Sequence, residues 1–419
     1  MEKAATTVFS LALVFMKFLI ALGGGAANYT SSDEPALLAF KSHITYDPNH
    51  ILATNWSTNT SFCHWLGVSC RRRGQNRVTS LDLSNMGLNG TIPPQIGNLS
   101  FLTYFNISYN HFNGHLPAEL GRLHRLKVFT LHFNDFSGEI PTSIFNVSSI
   151  QWINFHNNSL SGSLPDDVCS HLPKLRLLWL SYNEFSGDVP SHWGECRELQ
   201  YLYLSVNNFT GFIPCGIGNL TLLKHLYLST NNLRGVIPPE MGNLHSLEAL
   251  SLFSNSLASA IPSSLFNITS LQVLYLSNNQ LFGSLPMDIC SSDVHRLEIL
   301  SLASNQLTGS IPQCIGNYTS LEFLDLHENK LSGKRQSSLA FTHFLTQYNS
   351  LPTQLEAPSI GTDLRKTLMG LKVLKIAILR IRVVVKDGFC VVDLIGVGGK
   401  LEAMVSRQQH AVGTRGRVQ

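Results

Sequence analysis

Seven aromatic side chains in the middle of the sequence have types and spacing suited to molecular recognition. Trp179, Tyr203, Tyr227 and Tyr275 fall at multiples of 24 residues, and Trp152, Tyr182 and Tyr201 flank them. Rings with an apolar body and a polar edge dominate binding hot spots, and exposed aromatic patches mark interaction sites. These seven are therefore candidate ligand contacts. The competing explanation is that such rings suit any exposed strand surface through cross-strand packing.

Other chemistry is poorly supported. His132, His156 and His327 share one place in the pattern; the first two fall on adjacent repeats where they could stack or sense pH, but all three are expected as solvated side chains, because a metal site needs more converging ligands. No metal or cofactor is expected. The string Gly396-Val397-Gly398-Gly399-Lys400 lacks the earlier Gly of a phosphate loop and has Leu401 where Ser or Thr is required. No HRD, DFG or APE segment occurs, so the chain reads as a non-enzyme.

The elements that must position the rings are set by a repeat. The motif LxLxxNxLxGxIP recurs with its first apolar residue at Leu81, Phe105, Phe129, Ile153, Leu178, Leu202, Leu226, Leu250, Leu274, Leu300 and Leu324. A fixed period with Leu at alternate positions beside a recurrent Asn is the mark of a leucine-rich-repeat solenoid, of which this sequence has about eleven turns. Paired residues such as Leu202 and Leu204 alternate in a short strand and point into the stack, with Leu199, Phe209 and Ile213 filling the same turn. Each such burial contributes roughly 1.5–3 kcal/mol, but one repeat cannot cover its own faces, so stability comes from stacking. The Asn series from Asn110 to Asn329 sits where the chain leaves the strand, where its amide can bond unpaired backbone groups. The first repeat has Met86 there instead. Gly211 suits a backbone bend and Pro214 ends regular pairing.

Composition adds limits. With 44% hydrophobic and 14% charged residues, the 419-residue chain has ample material for an extended core. Residues 334–419 carry a net charge of +8 and residues 1–333 a net −5. A nucleic-acid binder needs a basic stripe on its folded body, which argues against that class. Val8–Met16 and Phe18–Leu22 are apolar, broken by Lys17 and followed by the small residues Gly23–Ala27, a secretory signal pattern over residues 1–27. Lys17 interrupts the roughly 20 apolar residues a span requires. Residues 371–397 are also apolar, but Lys372, Lys375, Arg380, Arg382 and Lys386 make insertion costly. No convincing membrane span is expected.

Segments such as Leu202-Tyr203-Leu204-Ser205-Val206-Asn207-Asn208-Phe209-Thr210-Gly211-Phe212-Ile213-Pro214 resemble the plant-specific leucine-rich repeat. That repeat occurs in plant receptor-like kinases, receptor-like proteins and polygalacturonase-inhibiting proteins. Residues 32–70, from Ser32-Asp33-Glu34-Pro35 to Cys63-His64-Trp65-Leu66-Gly67-Val68-Ser69-Cys70, resemble the family's N-terminal cap, and Ser32/Asp33 also make a good helix start. Segments such as Ile217-Gly218-Asn219-Leu220 resemble the receptor-kinase subgroup that includes pattern-recognition receptors.

The resemblance implies an α/β solenoid, a right-handed superhelix with a parallel concave sheet and a helical N-terminal cap. The expected domains are residues 28–77 for the cap, 78–333 for the solenoid and 334–419 for a basic, poorly ordered tail. It also implies that Cys63 and Cys70 are joined in the oxidising secretory route. Cys169 and Cys196 fall on successive connecting segments and can pair across the stack, while Cys215, Cys290, Cys314 and Cys390 admit no assignment. Twelve Asn-x-Ser/Thr sequons occur, of which Asn55, Asn59, Asn98, Asn106, Asn146, Asn208, Asn219, Asn267 and Asn317 are the candidate glycosylation sites.

The implied function is an extracellular, ligand-binding receptor ectodomain in plant defence or peptide perception, without its own signalling domain. Its implied partners are a peptide or protein ligand and a co-receptor leucine-rich-repeat kinase, in the apoplast or at the plasma membrane. The alternatives are a secreted inhibitor of cell-wall-degrading enzymes, or a truncated receptor product without function.

Overall fold

A computed structural model of the chain describes residues 33–71, 76–290, 296–332, 380–386 and 389–395. The expected signal segment, the phosphate-loop-like string and Cys390's side chain lie outside the described residues. The described residues fall into two units, one within Met1–Ala357 and one within Pro358–Gln419.

In the first unit each repeat contributes one short strand to a 12-stranded sheet that starts at Val68–Cys70 and ends at Phe323–Asp325. Val68–Cys70 and Val78–Asp82 pair antiparallel, and every later neighbour is parallel and in register, as in Leu202 opposite Leu178 and Leu226. The register follows from the side-chain period of two, because a one-residue slip would turn the inward leucines to solvent. Leu202, Leu204, Leu226 and Leu228 are fully buried. Strands such as Glu184–Asp188 and Asn208–Thr210 belong to a seven-stranded sheet on the flank.

The Asn ladder holds the two neighbouring turns together. Asn207 Nδ2 donates to the carbonyls of Leu180 and Leu204 at 3.0 and 3.1 Å, and its Oδ1 accepts the Phe185 N–H at 3.0 Å. Asn110 serves the first repeat as well, accepting the N–H groups of Met86 and Leu88. Each ladder Asn follows a residue with left-handed backbone, including Tyr109, Phe133, Tyr182 and Val206 with φ of 54–57°. This conformation is unfavourable for residues with a Cβ, most of all β-branched ones. Gly211 has φ +73°, the bend expected from sequence. Gly218 meets a different demand, since a Cβ there would lie 2.4 Å from the Glu240 carbonyl oxygen of the next turn.

The cap is a helix, Glu34–Ser42, that buries Ala36, Leu37 and Phe40, with Trp56 and Trp65 stacked at 5.3 Å beneath it. Asp33 precedes the helix, but its carboxylate does not cap it. The carboxylate instead accepts from Arg77 Nε at 3.0 Å and the Val78 N–H at 2.6 Å. A buried carboxylate with two strand donors locks the cap onto the first repeat, and that demand outweighs a helix-end bond. Cys63 is bonded to Cys70 and Cys169 to Cys196, and Cys290–Cys314, which sequence left unassigned, forms a third disulfide.

In the second unit Arg380–Lys386 and Phe389–Ile395 pair as an antiparallel hairpin. They are rich in Val and Ile and are separated by Asp387-Gly388, a pair that favours tight hairpin turns. Among the described residues no helix is long and apolar enough to cross a membrane.

Replacing Asn207 with Leu leaves the Phe185 N–H without its acceptor and removes one of the two Asn amides that serve each of the Leu180 and Leu204 carbonyls, and should cost about 1–3 kcal/mol. Replacing the adjacent Val206 with Asn relieves a strained β-branched residue and should add up to about 1 kcal/mol. Urea denaturation of the two variants checks both signs.

Candidate functional site

Along the large sheet, the residues on either side of each inward leucine face outward, and so do the two that precede the ladder Asn. Neighbouring parallel strands in register bring equivalent side chains of adjacent repeats about 4.8 Å apart, close enough for rings to touch. They touch in one continuous series. Tyr109 stacks on Phe133 at 4.7 Å, Phe133 meets the edge of His156 at 5.0 Å, and His156 stacks on Trp179 at 4.8 Å. Trp179 then contacts Tyr203 at 5.1 Å, and Tyr203 contacts Tyr227 at 4.9 Å. Tyr182 joins through His156, and Tyr201 through Tyr203 and His225.

The series runs obliquely. It starts just before the ladder Asn in the early repeats, passes through the strand ends at Trp179 and Tyr203, and reaches the strand starts at Tyr201 and His225. Of the seven rings singled out from sequence, Trp179, Tyr182, Tyr201, Tyr203 and Tyr227 belong to it. Trp152 faces the same way and is 44% exposed, but stands outside these ring contacts. Tyr275 is separated from Tyr227 by Ser251, which occupies the strand between them.

Sequence reasoning missed Tyr109, Phe133 and His225, and took stacking of His132 and His156 as the lesser reading. Tyr109 and Phe133 were legible in principle, because they occupy the same repeat position as Tyr182. The reading of His132 and His156 as ordinary solvated side chains is corrected: both are part-buried among the rings. His132 bonds Thr130 Oγ1 at 2.7 Å and His156 the Ser181 carbonyl at 3.2 Å. His327 bonds Asp325 Oδ1 at 2.5 Å.

The ring lining shifts proton equilibria. Burial, assisted by the nearby His156, lowers the His132 pKa to about 4. Burial also lowers His156, partly opposed by its bond to Ser181. It lowers His225 against the opposing pull of Glu248. Burial, then Tyr227, Tyr201 and Glu248, raise the Tyr203 phenol well above its ordinary value, and its oxygen lies 2.7 Å from His225 Nδ1. The face therefore stays uncharged over a wide pH range, with hydroxyls, amides and ring edges available to a ligand. Among the described residues no three His, Cys, Asp or Glu side chains converge as a metal site.

Another depression of about 760 Å³ lies beside the flanking sheet, lined by Asp166, Asp188, Ser191 and Phe212 among others. There His192 Nδ1 is 2.7 Å from Asp166 and 3.1 Å from Ser191 Oγ. Serine and carboxylate thus share one ring nitrogen, which is not the line of nucleophile, base and orienting acid that acyl transfer needs.

The exposed sequons include Asn55, Asn59, Asn98, Asn146, Asn208, Asn219 and Asn267, while the side chain of Asn317 lies outside the described residues. Asn106 is different. Its amide is buried, donates to Asp82 and Tyr104 and accepts from Ser108.

Residues 30–71 match the leucine-rich-repeat N-terminal domain model, and two leucine-rich-repeat models match residues 77–99, 101–123, 149–171, 174–196, 197–257 and 269–331. The chain is 36% identical over 110 residues to the receptor-like serine/threonine-protein kinase EFR of Arabidopsis thaliana, covering 26% of this chain and 10% of that protein. The Arabidopsis receptor kinase HAESA, solved with the peptide hormone IDA and the co-receptor SERK1, superposes with a TM-score of 0.66 at 34% identity. The match covers 75% of this chain and 52% of that one. The PEPR1–AtPEP1 structure gives 0.57 at 30%, covering 74% and 50%. The chain thus spans about a tenth of that kinase and about half of these solved ectodomains.

A histidine neutral in the fold but protonated when unfolded lowers stability as pH falls. For His132 this loss should begin near its unfolded pKa of about 6.5 and level off near pH 4. His132→Phe keeps a ring in the stack and should show a smaller stability loss between pH 6.5 and 4.5 in paired melts; an identical loss would contradict the assignment.

Proposed function

For a chain of leucine-rich repeats with their N-terminal domain, homologous to the ectodomains of plant receptor kinases, we propose an extracellular ligand-binding role in peptide perception, including defence. The ligand is an extended peptide or protein segment lying on the large sheet, and a co-receptor leucine-rich-repeat kinase is the expected partner. The single observation that carries this reading is the continuous ring series from Tyr109 to Tyr227 across six consecutive repeats, part of it open to solvent.

The curved sheet offers no deep pocket along this series. It offers a rigid surface whose rings are already held in place by one another, so a ligand need not order them on binding. That suits a long partner contacting several repeats rather than a small enclosed molecule. The HAESA and PEPR1 structures, solved with a peptide hormone and with AtPEP1 respectively, support the same use here. Kinase relatives match only within the repeat region, which is consistent with an interaction role for this region and not a catalytic one. Passage through the secretory route follows from the same reading, since three disulfides hold the repeats and cap.

Truncating a central ring of an interface costs about 2 kcal/mol or more, a loss of roughly thirtyfold in affinity. Trp179→Ala and Tyr203→Ala should each weaken a captured extracellular ligand to that extent in calorimetry, whereas Met287→Ala on the solvent-exposed flank should not. Equal affinity for all three variants would remove the sheet face as the site.

A further inference from the structure

The outward face of the sheet is nearly free of formal charge over most of its length. From Tyr104 to Ser304 the four outward positions of each strand and turn hold rings, hydroxyls, amides and short apolar groups. The only side chains there that could become cationic are His132, His156 and His225, each held toward the neutral form by burial. Carboxylates appear only at the two ends: Asp82 in the first repeat, bonded to Ser84 and Asn106, and Asp325 and Glu328 in the last.

The rim at the strand starts is polarised in the same direction. The residue before each strand is Lys127, Arg176 or Lys224 in three of the earlier repeats, and Glu248, Glu298 or Glu322 in three of the later ones. Arg125 adds a further cation early in the series, lying 4.1 Å over the Phe101 ring, while its counterpart Arg296, exposed two residues before Glu298, sets one cation against the late carboxylates Glu298, Glu322, Asp325 and Glu328. Arg176 is bound by Glu198 and Lys224 by Glu248. Glu298 and Glu322 are exposed and make no ion pair among the described residues. Asp135 and Glu184 lie beyond the ladder Asn, where the chain has already turned to the flank.

We propose that the ligand is an extended peptide segment with an uncharged middle that packs on rings and a cationic end, seated with that end over Glu298, Glu322 and Asp325. This rests on the reading of the sheet face as the ligand site and adds the ligand's charge pattern and direction. A charged side chain placed over the middle repeats would lose water and gain no partner, which costs more than an uncharged one. A cation gains at the late repeats and is repelled at the early rim, so charge complementarity selects one direction. Nine strands at about 4.8 Å spacing span about 40 Å, which matches a dozen extended residues.

The test is selection of a displayed random twelve-residue peptide library on the full secreted chain. Recovered peptides should carry Lys or Arg at one end, few charges in the middle, and apolar or aromatic residues there. They should bind Trp179→Ala poorly and should bind the double variant Glu298→Lys/Glu322→Lys about tenfold more weakly, the scale of two reversed exposed charges. Reselection on that double variant should move the preferred terminal charge to Asp or Glu. Peptides that depend on Trp179 but carry mid-segment charge at library frequency, or ignore the double variant, overturn this proposal and leave the sheet-face site standing. Peptides indifferent to Trp179→Ala, or no enrichment at all, overturn the sheet-face site and this proposal together. Unchanged circular dichroism confirms that each variant folds.

Discussion

The side-chain amide of the ladder Asn is the interaction on which the other features depend. At each turn the chain leaves a strand through a left-handed residue and would otherwise bury unpaired backbone groups. Asn305 shows the solution: its Nδ2 reaches the carbonyls of Leu276 and Leu302, and its Oδ1 accepts the Leu281 N–H. One amide thus satisfies its own turn and the preceding one, so no repeat is complete without its neighbour. Because the ladder fixes the turn from within, the residue before each Asn can be Tyr, Phe, Val, Thr, Ser or Glu despite its positive φ. The strain is held by bonds that these side chains do not make.

That division of labour leaves the outward positions open to variation. Inward residues are held to Leu, Ile and Phe by packing, whereas outward ones need only tolerate a neighbour one strand away. Once several repeats place rings at outward positions, the rings pack on each other, and the stacked, part-buried His156 shows how far this goes. The packing that makes the series stable also makes it rigid, so the structural and the recognition explanations for these aromatics are compatible. Cross-strand stacking supplies the order, and the exposed ring edges supply the contact.

The parts of this molecule that repeat were legible in the sequence. Strand register, inward leucines, the ladder and the bend at Gly211 each recur about eleven times, and periodicity averages out local ambiguity. What was missed is non-periodic or depends on the third dimension. Asp33 looked like a helix cap, but its oxygens are claimed by Arg77 and Val78, more than forty residues away. His132 and His156 looked solvated because the rings that cover them come from other repeats. The Cys290–Cys314 bond was legible by the argument that pairs Cys169 with Cys196, since both pairs lie one repeat apart on connecting segments, and it was left unassigned. Asn106 fits a glycosylation sequence while its amide is committed to Asp82 and Tyr104.

A surface of this kind obtains selectivity differently from a pocket. A pocket excludes wrong ligands by shape on all sides, whereas an open sheet can exclude them only through what it leaves unpaired. Keeping charge off the middle of the face means that any charged ligand residue there loses hydration without compensation, which disfavours many wrong sequences at little cost to the fold. The burial that keeps His132, His156 and His225 neutral belongs to the same device, because a protonated histidine would reintroduce charge where the face otherwise has none. Ring packing, proton affinity and ligand selectivity are then one consequence of placing aromatic residues at adjacent outward positions of a ladder that the Asn amides hold in register.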